Sequence, residues 1–354
     1  MVAQPVLEAA ARPLINHRGE AFAQLLQRIT EALPPVFGTS AEVILLGSSG
    51  TGGLEAVVAN LFSPGERLLS CAVGAFGKRF AEIAEGYGCI VEPLATPLGC
   101  GLDPRSLQSR LEADTQGHIA GVLLTHNETS TGVACDMAAL APILRTHGAI
   151  SLVDSVSGLG ASEFRMDEWG YDAVVTASQK GFAAPPGVAM VSLSGRAWER
   201  AGSARIPRFY FDLKRARKFA HNGETPWTPP ISILYALDVA LQRYHTEGME
   251  AVYSRHERFA ATVRSALERM GFTLVSQAGA HSPTVVAAYP PPQIDAKSLL
   301  RALREKHGVV LAGGQAELAG KIVRFGTMGD VSDVDLLRAL EAIELELQLI
   351  SGAA

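Results

Sequence analysis

Short, continuously apolar runs recur along this chain, each separated from the next by a stretch long enough to be a helix. This alternation constrains the fold more than any other feature. The spacing predicts strands at 43–46, 67–71, 89–93, 119–124, 150–154, 173–176 and 188–193. Between them, 20–33 reads as an amphipathic helix on Phe22, Leu25, Leu26 and Ile29. Further helices are expected after the glycine-rich stretch 47–53 through Leu61, and over 76–85, 104–111 and 137–146. Strands that are apolar at every position bury both faces, so the pattern predicts an α/β fold with a mainly parallel sheet between helices. Two long helical stretches, 231–247 and 249–270, meet at Gly248. A second βα pattern follows, with strands at 284–288, 309–311 and 322–325 and helices at 296–306 and 334–350. The expected organisation is an N-terminal arm over 1–15, a large domain over 16–247 and a smaller C-terminal α/β domain over 248–354.

Composition narrows the function classes. Of 354 residues, 47% are hydrophobic and 19% charged, which is ordinary for a soluble globular protein. The net charge of −5 provides no global basic field to attract nucleic acid. Residues 1–14 include Glu8 and Arg12 and do not read as a signal peptide, and no apolar run approaches the ~20 residues of a membrane span. Cys71, Cys89, Cys100 and Cys135 are scattered without a C-x-x-C pair, so reduced thiols in a cytoplasmic protein are expected. The histidines show no metal-ligand spacing, and no metal site is expected.

Three features carry chemistry. Gly47–Gly53 joins a strand to a helix, and small residues there let the backbone curl so that helix N–H groups face an anion such as a phosphate monoester. The loop has neither the G-x-x-x-x-G-K-[ST] nor the G-x-G-x-x-G pattern, which disfavours nucleotide triphosphates and nicotinamide dinucleotides. Asp154 ends one predicted strand, and Lys180 follows the next. Taken singly, each has an ordinary alternative as a cap or a solvated charge. Taken in this order on one parallel sheet, they fall at the carboxyl ends of strands, where such sheets bind ligands. A lysine and a carboxylate so placed can grip the two ends of an aromatic aldehyde, the lysine as an imine and the carboxylate on a ring nitrogen. That is the core of pyridoxal phosphate chemistry. Ala177, Phe182, Ala183 and Pro185 surround Lys180 in sequence, so desolvation should lower its pKa.

The stretches GSSGTGGLEAVVANLFSPGE at 47–66, GAFGKRF at 74–80, THNETSTGV at 125–133, LVDSVSGLG at 152–160, TASQKGFAAPPGVA at 176–189 and VRFGTMG at 323–329 carry a resemblance that spans nearly the whole chain. The sequence resembles the class V aminotransferases of the fold-type I pyridoxal phosphate enzymes, nearest to the alanine–glyoxylate, serine–glyoxylate and serine–pyruvate group. The resemblance implies that Ser49, Gly50 and Thr51 cradle the phosphate, that Phe76 stacks on the ring and that Val156 packs on its other face. It also implies that Thr129 contacts the ring, that Asp154 pairs with the ring nitrogen and that Gln179 contacts the phosphate. Lys180 would be the Schiff-base lysine and Arg324 the grip on the substrate carboxylate. Thr225 and Thr228 would reach the phosphate of a neighbouring subunit, implying a homodimer with shared active sites.

The expected reaction moves an amino group from a small amino acid, alanine or serine, to a 2-oxo acid, glyoxylate or pyruvate. A pyridoxal phosphate-dependent lyase, or an aminotransferase for another amine such as an aminophosphonate, is the alternative. Cysteine desulfuration is disfavoured, because the reactive cysteine it needs lies in the C-terminal half and all four cysteines here lie at or before residue 135. A non-catalytic protein that kept the fold is disfavoured by the presence of both Lys180 and Asp154, and a nicotinamide oxidoreductase by the absent dinucleotide fingerprint. The basic run Lys214–Lys218 is expected to be a solvated loop or helix turn. His17 and Arg18 receive no role.

Overall fold

The computed structural model describes residues 1–352. Its strands are β1 Val43–Leu46, β2 Arg67–Cys71, β3 Ile90–Pro93, β4 Ile119–Thr125, the short pair β5 Asn127–Glu128 and β6 Val133–Ala134, β7 Ile150–Asp154, β8 Ala173–Ala177, β9 Ala189–Leu193, β10 Thr273–Leu274, β11 Val285–Tyr289, β12 Ala312–Gly313 and β13 Val323–Gly326. Seven of them form one sheet in the order β1-β9-β8-β7-β4-β2-β3. The pairs β3–β2, β2–β4, β4–β7 and β7–β8 are parallel, whereas β9 runs antiparallel to both β8 and β1.

The single reversal has a local cause. Only residues 178–188 separate β8 from β9, and a parallel crossover needs a dozen or more residues, usually with a helix. The chain therefore turns back at the carboxyl end of β8 and places Lys180 on the turn. Ser178 fixes that turn: its N–H donates to Val188 O at 3.0 Å and its hydroxyl to Pro185 O at 2.7 Å. Gly181 has to be glycine, because a Cβ there would lie 2.6 Å from Leu159 O.

β7, β8 and β9 are buried at every position. Burying each large aliphatic side chain contributes about 1.5–3 kcal/mol, so the centre of this sheet is the rigid part of the molecule. In register, Thr125 of β4 lies beside Asp154 of β7, and Asp154 beside Val175 of β8. Helix Gly50–Leu61 begins inside the predicted glycine loop and packs on the sheet at close range. A Cβ at Gly53 would meet Val175 Cγ1 at 2.6 Å, and one at Gly50 would meet Val156 Cγ2 at 2.6 Å. These two glycines bring the helix N-terminus against the strand ends.

The C-terminal part carries an antiparallel sheet, β10-β11-β13-β12, with helices Met249–Arg269, Ala296–His307 and Asp333–Gly352. Its register sets Arg324 of β13 opposite Ala287 of β11 and Ala312 of β12. The strand expected at 309–311 is instead part of a helix ending. Gly308 adopts φ 66° and Val309 N–H donates to Leu303 O at 3.0 Å, which closes helix 296–307 and moves the strand to Ala312–Gly313. The basic run lies on a helix, Leu213–Ala220, capped by Asp212. Two of its four cations are engaged within the chain, Arg215 over the rings of Phe209 and Trp227 and Arg217 in a pair with Glu42, while Lys214 and Lys218 are exposed. Among the described residues, no helix is long and apolar enough to cross a membrane.

Candidate active site

A cavity of about 160 Å³ opens at the carboxyl ends of β4, β7 and β8. Its lining brings together Ser49, Gly50, Thr51, Phe76, Thr129, Asp154, Val156, Gln179 and Lys180, the residues predicted from sequence. Leu54, Arg79, Asn127 and Ser157 complete the wall and were not predicted. A larger cavity of about 860 Å³ sits at the opposite ends of β2, β4 and β7. There Arg196 is spent on Asp172 and Arg200 on Glu66, and no strand-end lysine faces it, so the smaller cavity is the chemical one.

Asp154 is buried, and Val156 N–H donates to its Oδ1 at 3.0 Å. Burial is the dominant influence and pushes the carboxyl up to about 7. The neighbouring charge of Glu128 pushes the same way, while Lys180, Arg79 and the Val156 N–H pull back. Such a carboxyl is short of a cationic partner. Lys180 is shifted in the opposite sense: burial lowers its amine pKa, Arg324 adds to the lowering, and Asp154 opposes it. A lowered amine pKa leaves more of the free base, the form that attacks a carbonyl or accepts a proton.

The donor set fits pyridoxal phosphate on three counts. The buried Asp154 awaits a positive ring nitrogen. Helix 50–61 presents its N-terminus beside Ser49 and Thr51, which suits a phosphate. Asn127 Oδ1 and Gln179 Oε1 are buried polar atoms with no partner among the described residues, and both residues line the cavity. The orientation of the Asn127 amide follows from its contacts. Ser157 gives its proton to Asn127 O at 2.8 Å and so accepts from Asn127 Nδ2, also at 2.8 Å.

Phe76 sits in the first turn of helix Ala75–Gly86, with the Arg79 guanidinium 4.8 Å from its ring centre. Arg79 was detectable in principle, since residues three apart share a helix face. Arg324 is outside the cavity lining but bonded to Thr129, which lines it. Its Nε donates to Gly313 O at 2.7 Å and its Nη1 to Thr129 O at 2.8 Å. Both carbonyl contacts hold the guanidinium plane in one orientation. Thr225 and Thr228 do not line this chain's cavity. Thr225 Oγ1 donates to Trp227 O at 2.8 Å, and Thr228 is exposed. Arg18 braces that segment, donating to Glu224 Oε2 at 2.7 Å and to Thr225 O at 3.0 Å.

Fold and site together define an enzyme built to work on an amine through a strand-end lysine. The aminotransferase class-V family model matches residues 7–329, and the chain belongs to that family. It is 36% identical over its whole length to the L-aspartate–glyoxylate aminotransferase of Paracoccus denitrificans, covering 92% of that protein. It is 37% identical, over 98% of its length and 90% of the other, to a protein of Synechococcus sp. named soluble hydrogenase, small subunit. Among solved structures, the alanine–glyoxylate aminotransferase of Nostoc sp. superposes with a TM-score of 0.93 at 30% identity, covering 98% of this chain and 92% of that one. The expected fold, fold-type I with a mainly parallel sheet, holds. The chain is an aminotransferase, and its family implies pyridoxal phosphate as the cofactor.

Proposed function

We propose that the chain transfers an amino group from a small amino acid, alanine or serine, to a 2-oxo acid such as glyoxylate or pyruvate. One observation carries the reading: Lys180 and Asp154 share one cavity, with their pKa values displaced toward each other. Pyridoxal phosphate supplies an aldehyde that captures amines and a ring that accepts the electron pair left at Cα when a proton departs. The chain's residues do the rest. Ser49, Gly50, Thr51 and Gln179 hold the phosphate, and Phe76 and Val156 enclose the ring. Thr129 contacts the ring, and Asp154 keeps its nitrogen protonated. Lys180 takes the Cα proton as general base and redelivers it as general acid. Arg324 binds the substrate carboxylate. The Paracoccus and Nostoc enzymes are both named glyoxylate aminotransferases, which supports the acceptor. A panel of amino donors against glyoxylate, pyruvate and 2-oxoglutarate tests this. Preference for a donor with a long side chain would defeat it.

Arg324→Ala should raise KM for the amino acid by about 100-fold, because a bidentate charge-assisted contact of roughly 2–3 kcal/mol is lost. Cofactor content should stay unchanged in the visible spectrum. Loss of cofactor instead would reassign Arg324. The exposed position of Thr228 and the bracing of Thr225 by Arg18 support a contribution across a homodimer. Sedimentation should show a dimer, and a fully active monomer would refute the shared site. The large domain is taken to end at Glu247, where Gly248, at φ 88°, separates two long helices. A cytoplasmic location completes the proposal.

A further inference from the structure

Glu128 is fully buried, next in sequence to Thr129 of the cavity lining. Its carboxylate pairs with no lysine or arginine among the described residues. Four donors hold it. Phe76 N–H and Gly77 N–H reach Oε2 at 2.9 and 3.1 Å. Ser130 N–H and the Ser130 hydroxyl reach Oε1 at 3.0 and 2.7 Å. The Ser130 hydroxyl in turn accepts from Ala75 N–H at 2.9 Å. The first three N–H groups of helix 75–86 are thus satisfied by two side chains more than fifty residues away in sequence. The helix cannot cap itself, since its N-cap residue is Gly74.

The geometry suits a side chain with two acceptor oxygens. Both oxygens accept, and every group facing them donates. A glutamine would turn its own NH₂ toward two of those donors. Gly74 is equally constrained: a Cβ there would lie 2.4 Å from Glu128 Cγ and 2.6 Å from Ser130 Oγ. Between Glu128 and Ser130, the carbonyl of Thr129 receives Arg324 Nη1. One tripeptide therefore holds the helix that carries Phe76 and also the arginine of the other sheet.

We propose that Glu128 is a positioning residue that clamps Phe76 over the cofactor ring and, through Thr129, keeps Arg324 in register with it. The proposal rests on the functional reading above. The test is an equilibrium titration of the cofactor-free protein with pyridoxal phosphate, arranged as a double-mutant cycle between Glu128→Gln and Phe76→Ala. Glu128→Gln should weaken cofactor binding by about tenfold and raise KM for the amino donor several-fold. In the Phe76→Ala background the same change should alter cofactor affinity less than about twofold, since its effect runs through Phe76. Gly74→Ala, which changes no polar group, should reproduce the Glu128→Gln behaviour. If Glu128→Gln does not fold, Ser130→Ala decides in the same cycle, with an effect in the same direction but smaller. Unchanged affinity in the variant, or additive effects in the cycle, would overturn the clamp. Failure of the unaltered chain to take up pyridoxal phosphate would overturn the parent reading and the clamp with it.

Discussion

Replacing Lys180 with alanine should lower kcat by about 10⁴-fold or more and remove the visible band of the lysine-linked cofactor. Two functions are lost together, the covalent anchor and the general base, and general acid–base catalysis alone is worth up to about 10⁴-fold. The fold should survive. Lys180 is partly exposed, and the turn that carries it is held by Ser178, Pro185 and Val188 rather than by the lysine side chain. An added small amine should restore part of the rate, because it supplies the missing base without the anchor. A variant retaining more than about a tenth of the activity would show that another group performs the proton transfer.

Asp154→Asn should have two opposed effects. In the loaded enzyme, kcat should fall by about 10²–10³-fold, because the ring nitrogen loses the charge that keeps it protonated. In the cofactor-free protein, the same substitution should stabilise. The folded-state pKa of Asp154 stands at about 7, above the ordinary carboxylate value of 3.8, mainly through burial. Between about pH 4 and 7 the folded chain therefore holds a proton that the unfolded chain has released, and stability falls as pH rises through that window. Asparagine keeps an acceptor for the Val156 N–H and carries no charge to desolvate. The variant should gain on the order of 2–4 kcal/mol at pH 8 and nothing near pH 4, read as Tm against pH. A cofactor-free variant no more stable than the parent at pH 8 would mean that Asp154 is not charge-starved in the absence of the ring.

The parts of this molecule that were legible in the sequence are those whose causes are local. The strand ends bearing Asp154 and Lys180 stand out because apolar runs stop there, and parallel-sheet topology gathers those ends on one edge. The reversal of β9, which the reading of a mainly parallel sheet did not single out, also has a local cause, in the brevity of residues 178–188. Other features act through backbone groups of distant elements. The Glu128–Ser130 clamp left one signal, a helix entering through Gly74–Ala75–Phe76–Gly77 without a Ser, Thr, Asp or Asn to cap it. Nothing in the linear pattern says that residues 128 and 130 supply the cap. Val309–Leu311 misled because an apolar run reads as a strand whether it forms a ladder or closes a helix. Val310 is in fact 69% exposed. Thr225 and Thr228 were placed by resemblance, and one chain alone does not bring them to its own cavity.

Borohydride reduction of the protein loaded with pyridoxal phosphate, followed by proteolysis and mass spectrometry, locates the residue that holds the cofactor covalently. One reduced cofactor adduct per chain is expected, on Lys180, in the peptide containing Thr176–Ala189. An adduct on a different lysine, or none in material that retains aminotransferase activity, would contradict it.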